Sequence, residues 1–230
     1  MSLNPYNADQ CKSIIINNYD SALEKKYSRW KINDYRKIYT FDDIVHGRQT
    51  PRYSTVISVI PCASFYYLHY LVELQPDKIV DIGCGMNFFK DIIPGVVGID
   101  YDGPEIDIQD FFDTTFSINH ENQFSCAFSI DAMHFIPITE FYNRVMEFKN
   151  IIKTGGRGYI AMNVARMVEY SEPEILLKLF NTTEPSSIQL AMYIDCEIKK
   201  LPIQWLVIDN LIVEKYDECI DGNIRLVFEK

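Results

Sequence analysis

The stretch "VDIGCGMNFF", residues 80–89, ends an apolar run with a carboxylate, Asp81, and then places two glycines one residue apart, Gly83 and Gly85. A glycine-rich turn directly after a buried strand lets the backbone take unusual dihedrals and approach a ligand closely, most often a nucleotide. The dinucleotide fingerprint G-x-G-x-x-G would need a third glycine at position 88, where this chain has Phe88. Asn87 stands just before it, and asparagine tolerates left-handed backbone better than other non-glycine residues.

Around this turn, short apolar runs alternate with helical ones, which is the pattern of parallel strands joined by crossovers. The strand candidates are "KIVDIG" (78–83), "GVVGID" (95–100), "SCAFSI" (125–130) and "GYIAMNV" (158–164). They read as buried on both faces, as a parallel sheet requires. Between the last two, Phe141, Val145, Phe148 and Ile152 fall on one helical face, and Gly155-Gly156 is expected to close that helix. A further helix is expected over 173–180. After it, "IQWLVIDNLIVEK" and "NIRLVFEK" alternate like strands on either side of the turn material "DECIDGN". Two consecutive strands without a helix between them pair as a hairpin, which ends the sheet antiparallel.

These pieces together resemble the cofactor half of a class I S-adenosylmethionine-dependent methyltransferase. "VDIGCG" is similar to the family's first motif, "VVGID" to its acid-ended second strand, "FSIDAMHFI" to its fourth strand and following turn, and "IIKTGGRGYIAMN" to its fifth strand and the helix end before it. The resemblance implies an α/β, Rossmann-like three-layer sandwich: a mostly parallel sheet ending in an antiparallel C-terminal hairpin, with an N-terminal helical cap. Residues 1–75 would be that cap, contributing to the acceptor pocket, and residues 76–230 the cofactor domain.

The cofactor implied is S-adenosylmethionine. Asp81 would orient its methionine ammonium, and Asp100, 19 residues further on, would take the ribose hydroxyls, for which a carboxylate supplies a two-oxygen acceptor. For the adenine the family places an acid and a following backbone N–H after the third strand. "PEIDIQDFF" offers both Asp107-Ile108 and Asp110-Phe111, and spacing does not choose between them. Cys84, Tyr101 and Ile130 complete the expected cofactor-binding set with Gly83 and Gly85. A sulfonium and an ammonium suit an acid-rich pocket that would repel a diphosphate.

Methyl transfer needs a base only where the nucleophile must lose a proton. Asp131 and His134, just past the fourth strand, are the candidate catalytic residues, and an ordinary histidine titrates in a range suited to proton transfer. The "NPPY"-type tetrapeptide of base-amine methylating enzymes is replaced here by "IDAMHF", which argues against that class of target.

Charge is uneven along the chain. Residues 1–78 carry 10 Lys+Arg against 8 Asp+Glu, and residues 79–230 carry 12 against 24, within a net charge of −10. Long nucleic acid is therefore disfavoured as a partner, since it wants broad positive surface. The basic, aromatic stretch between Lys25 and Tyr53 is the place for a small, anionic acceptor. Its candidate substrate-binding residues are Trp30, His46, Arg48, Arg52 and Tyr53, which stack and make charge-assisted bonds.

Six scattered cysteines without a C-x-x-C pair and four dispersed histidines suggest reduced, buried thiols and no metal site. No apolar run reaches the length of a membrane span, and the first residues lack the features of a signal peptide, so a cytoplasmic protein is expected. The expected activity is methyl transfer to O or N of a small or medium-sized acceptor. The rival readings are a non-catalytic cofactor-binding or regulatory protein of the same fold, an RNA or protein methyltransferase, and an NAD-dependent oxidoreductase.

Overall fold

The computed structural model describes residues 69–72, 74, 76–85, 87–91, 93, 95–102, 106–212 and 222–230. Of the N-terminal cap expected over 1–75, residues 1–68, 73 and 75 lie outside the described residues, and with them the basic, aromatic stretch.

Seven strands form one sheet in the order β3-β2-β1-β4-β5-β7-β6. They are β1 (Ile79–Ile82), β2 (Val96–Asp100), β3 (Ile108–Gln109), β4 (Phe124–Ile130), β5 (Ile152–Asn163), β6 (Gln204–Ile212) and β7 (Gly222–Glu229). The first five run parallel. β7 enters antiparallel between β5 and β6. The hairpin expected from the sequence is thus present, and its second strand is the one that joins the parallel sheet. Chain order reverses between β1 and β4, and the crevice beyond the C-terminal ends of strands at such a point is where open α/β sheets bind ligands.

Helices α2 (Thr114–Asn119), α3 (Phe141–Asn150), α4 (Pro173–Phe180) and α5 (Ser187–Ile198) connect the strands, and α1 (His69–Val72) precedes them. Strand alternation sorts side chains to two faces. Val80, Ile82, Ala127, Ile160, Met162, Leu226 and Phe228 pack with Phe141, Val145 and Phe148 of α3 and Leu190 and Ile194 of α5 in the main core. Each such aliphatic or aromatic side chain contributes about 1.5–3 kcal/mol by leaving water. On the opposite face the Cys126 thiol donates to Leu71 O of α1, and the Arg157 guanidinium donates to Tyr70 O at 2.9 Å. Sheet between helices is the three-layer arrangement the sequence implied.

Two elements differ from expectation. α3 ends at Asn150, and Ile152, expected on its apolar face, is already the first residue of β5, paired with Phe124. Gly155-Gly156 closes no helix. From Phe124/Ile152 to Cys126/Arg157 the register advances two residues along β4 and five along β5, and the two glycines lie in that irregularity, Gly155 at φ 78°. A side chain at 156 would overlap Ser125 O, so the strand bends only because glycine is there. The other difference is α5, which the sequence reading passed over. Ser186 caps it through Gln189 N while the Gln189 side chain returns to Ser186 N. This capping box was visible as S-S-I-Q. Among the described residues, no helix is long and apolar enough to cross a membrane.

Candidate functional site

β1 delivers its chain to the switch point, and the turn after it is built from three left-handed residues: Gly83 (φ 74°), Gly85 (φ 51°) and Asn87 (φ 51°). Asn87 therefore takes the backbone conformation for which asparagine is suited, as its sequence context suggested. At Gly83 glycine is required twice over, by its φ and because a Cβ would overlap that of Ala132, just beyond β4. At Gly85 a Cβ would meet nothing within 4 Å among the described residues. The turn thus packs against Ala132 at Gly83, while none of the described residues crowds it at Gly85.

Hydrogen bonds bolt it to β2. The N–H groups of Gly83 and Cys84 both donate to Ile99 O, at 2.9 and 3.1 Å. Asn87 N donates to Cys84 O at 2.8 Å. At the end of β2 the Asp100 carboxylate accepts from Gly85 N through one oxygen and Tyr101 N through the other, each at 2.8 Å. Asp100 is consequently fixed at the lip of the turn with lone pairs remaining on each oxygen. Asp81 is buried within β1.

The electrostatics of the turn are negative. Burial, followed by the charges of Asp81, Asp100 and Asp107, pushes the Cys84 thiol up to about 12. Cys84 is therefore a neutral thiol and no nucleophile at physiological pH. Of the other described cysteines Cys126 is also buried, whereas Cys196 is exposed, contrary to the general expectation of buried thiols.

The two acids flanking β3 have different surroundings. Asp107 precedes the strand, and its carboxylate is engaged by Gly98 N at 2.9 Å, Asn87 Nδ2 at 3.1 Å and Lys90 Nζ. Partial burial raises its pKa, but the hydrogen bonds from Lys90, Gly98 and Asn87 outweigh that and hold it below the usual carboxylate range. Asp110 follows the strand, is exposed, and accepts only from its neighbour Phe111 N, at 2.8 Å, among the hydrogen bonds described. Ile108 is a half-buried residue of β3. Tyr101 and Phe111, both strongly exposed, stand at the C-terminal ends of β2 and β3. Phe111 was named only for its backbone N–H, and its ring was missed.

On the other side of the switch point, β4 ends at Ile130 and Asp131 turns left-handed at φ 52°, its N–H donating to Ala161 O at 2.8 Å. His134 is 2% exposed, and neither ring nitrogen has a hydrogen-bond partner among the described residues. Burial, and then the positive charge of Arg166, lower its pKa to about 4. The ordinary titration range expected from sequence is thus displaced, and the imidazole is neutral at pH 7. Phe135 packs on that ring at 4.2 Å between centroids and meets Tyr170 edge-on at 5.6 Å. Both Phe135 and Tyr170 are exposed. Tyr170 and Arg166 lie in the 3₁₀ segment Val164–Tyr170 after β5. Sequence reasoning missed both, because only the strand order brings that segment beside the turn after β4. The expected substrate-binding residues Trp30, His46, Arg48, Arg52 and Tyr53 lie outside the described residues.

Five parallel strands with an antiparallel β7 between β5 and β6, a glycine turn after β1 and an acid at the end of β2 decide the architecture. This is the class I methyltransferase fold. No family model matches the sequence, and no curated protein matches it. Among solved structures, it is similar to a SAM-dependent methyltransferase from Archaeoglobus fulgidus, at 12% identity and a TM-score of 0.49, covering 86% of this chain and 100% of the other. TehB from Haemophilus influenzae is 13% identical with a TM-score of 0.46, covering 83% and 67%. The N-methyltransferase NodS from Bradyrhizobium japonicum WM9 is 9% identical with a TM-score of 0.40, covering 70% and 90%. With TM-scores below 0.5, these likenesses carry no argument, and the fold follows from the strand order and pairing themselves.

Proposed function

We propose that this chain is an S-adenosylmethionine-dependent methyltransferase that moves a methyl group to O or N of a small or medium-sized acceptor in the cytoplasm. The observation that carries the reading is the acidic glycine turn: Asp81, Asp100 and Asp107 all bear on Cys84, beside a Gly85 at which a Cβ would meet none of the described residues within 4 Å. A cationic ligand is favoured there and a diphosphate is repelled. S-adenosylmethionine, when bound, supplies a methyl group already activated on a sulfonium.

Asp81 holds the ammonium end, and Asp100 accepts from the ribose hydroxyls with the lone pairs left by Gly85 N and Tyr101 N. Asp110 and the N–H of Phe111 address the adenine, since Asp107 is already engaged by three protein donors. The rings of Tyr101 and Phe111 flank that end. Beyond β4, Asp131 and His134 are the residues we assign to the acceptor side, with His134 as a neutral hydrogen-bonding group that positions the nucleophile more than it removes a proton. Phe135 and Tyr170 offer the acceptor an aromatic wall. Residues 1–75, with Trp30, His46, Arg48, Arg52 and Tyr53, complete the pocket and favour an anionic substituent.

Calorimetric titration with S-adenosylhomocysteine and with NAD tests the cofactor. Binding of the first alone is expected, with Asp100→Ala weakening it by about 1.5–3 kcal/mol, the scale of hydrogen bonds involving a charged group. Preference for NAD would overturn the reading. Incubation with S-adenosylmethionine and a metabolite panel is expected to release S-adenosylhomocysteine. Binding without release under every condition would leave a cofactor-binding protein that is not an enzyme.

A further inference from the structure

The dinucleotide pattern and many glycine turns continue past the second glycine with a small residue. Here Asn87 is fully buried, left-handed, and tied to a residue 20 positions away. One oxygen of Asp107, Oδ2, receives both Asn87 Nδ2 and Gly98 N, and the other receives Lys90 Nζ from the 3₁₀ turn that follows the glycine turn. Asp107 N in turn donates to Gly98 O at 2.9 Å, so this acid grips β2 from both directions. The amide of Asn87 fits only because residue 98 is glycine, since a Cβ there would come within 2.5 Å of it. Four residues from three places in the chain are therefore mutually adapted.

We propose that Asn87 and Asp107 form a latch that holds the glycine turn in its ligand-accepting shape before the cofactor arrives, which makes Asp107 a positioning residue for cofactor binding. The latch rests on the cofactor reading above. A turn with three left-handed residues has many alternatives open to it, and Gly83 and Gly85 add more freedom than any other residue would. Without the bond from Asn87 to Asp107, the segment after Gly85 loses its link to the residue that opens β3, and cofactor binding must restore that order. Through Lys90 the same carboxylate also holds the 3₁₀ turn Phe88–Asp91, so two successive points after Gly85 are set from one group.

The test is a double-mutant cycle read by calorimetry with S-adenosylhomocysteine, using Asp107→Asn, Asn87→Gly and the pair. Residues acting through one shared bond are non-additive. Asn87→Gly is expected to weaken affinity about tenfold, the loss of one charge-assisted bond, Asp107→Asn by at least as much because it also loosens Lys90, and the pair no more than Asp107→Asn alone. Steady-state kinetics should raise the KM for S-adenosylmethionine and leave kcat near its wild-type value. Ser186→Ala, which removes a helix cap far from the turn, serves as the control for general destabilisation and should leave affinity unchanged. Losses that multiply in the pair, or unchanged affinity in Asp107→Asn, would overturn the latch. If Asp107→Asn does not fold, Asn87→Gly decides alone, because glycine accepts φ 51° without strain. A tenfold loss supports the latch and wild-type affinity overturns it. Failure of the wild-type protein to bind S-adenosylhomocysteine would instead sink the cofactor reading itself.

Discussion

Replacing His134 by glutamine should flatten the acid side of the protein's stability curve. The ring is buried without a partner among the described residues, and its pKa falls from the ordinary 6.5 to about 4 through burial and then the charge of Arg166. Protonation therefore favours the unfolded chain. The stabilising neutral state is complete above about pH 6.5 and is lost as pH falls toward 4, because in that window the unfolded chain binds the proton and the folded one does not. With those two values, the linkage relation makes the loss about 2 kcal/mol at pH 5 and about 3 kcal/mol in full. Glutamine keeps polar atoms at the site but cannot titrate. The assay is urea unfolding of wild type and His134→Gln at several pH values between about 7.5 and 5, where the carboxylates common to both cancel in the difference. The wild-type protein should lose about 2 kcal/mol more than the variant over that interval. Parallel curves would refute the reasoning, since the ring would then protonate as readily folded as unfolded, and His134 would be an ordinary candidate base.

Gly83→Ala and Gly85→Ala should separate packing from binding. The first meets both a positive φ and the Cβ of Ala132, and should cost about 2–4 kcal/mol of stability by chemical denaturation. The second has, among the described residues, only its φ against it and should cost about 1 kcal/mol, while its methyl group blocks the close backbone approach of a ligand and abolishes calorimetric binding of S-adenosylhomocysteine. Ser186→Ala removes the hydroxyl that caps α5 and should cost about 1 kcal/mol, lowering Tm by about 2–4 °C in a thermal melt.

The β1 turn and the acid ending β2 were legible because their chemistry is local. Gly83, Gly85 and Asp100 sit at strand ends that apolar runs announce, and the left-handed tolerance of Asn87 is a property of the residue itself. The start of β5 was not legible, because Ile152 continues the helical spacing of Phe141, Val145 and Phe148, and only pairing with Phe124 turns it into a strand. Nor could spacing distinguish Asp107 from Asp110. The two stand three residues apart in one loop-like stretch, and what separates them is the arrival of Gly98, Asn87 and Lys90 around the first.

By itself, the sequence determined the alternation of strand and helix, the glycine turn, the acids that make it negative and the antiparallel end of the sheet. These follow from periodicity, backbone freedom and formal charge, each a property of a short segment. The tertiary structure decided which side chains are already spoken for. It committed the Asp107 carboxylate to Gly98, Asn87 and Lys90 and that of Asp110 to its neighbour Phe111 N, displaced the titration of His134 by burying it, and brought Tyr170 and Arg166 beside the turn after β4. Burial and hydrogen bonding are made between segments far apart in the chain, and no local pattern records them.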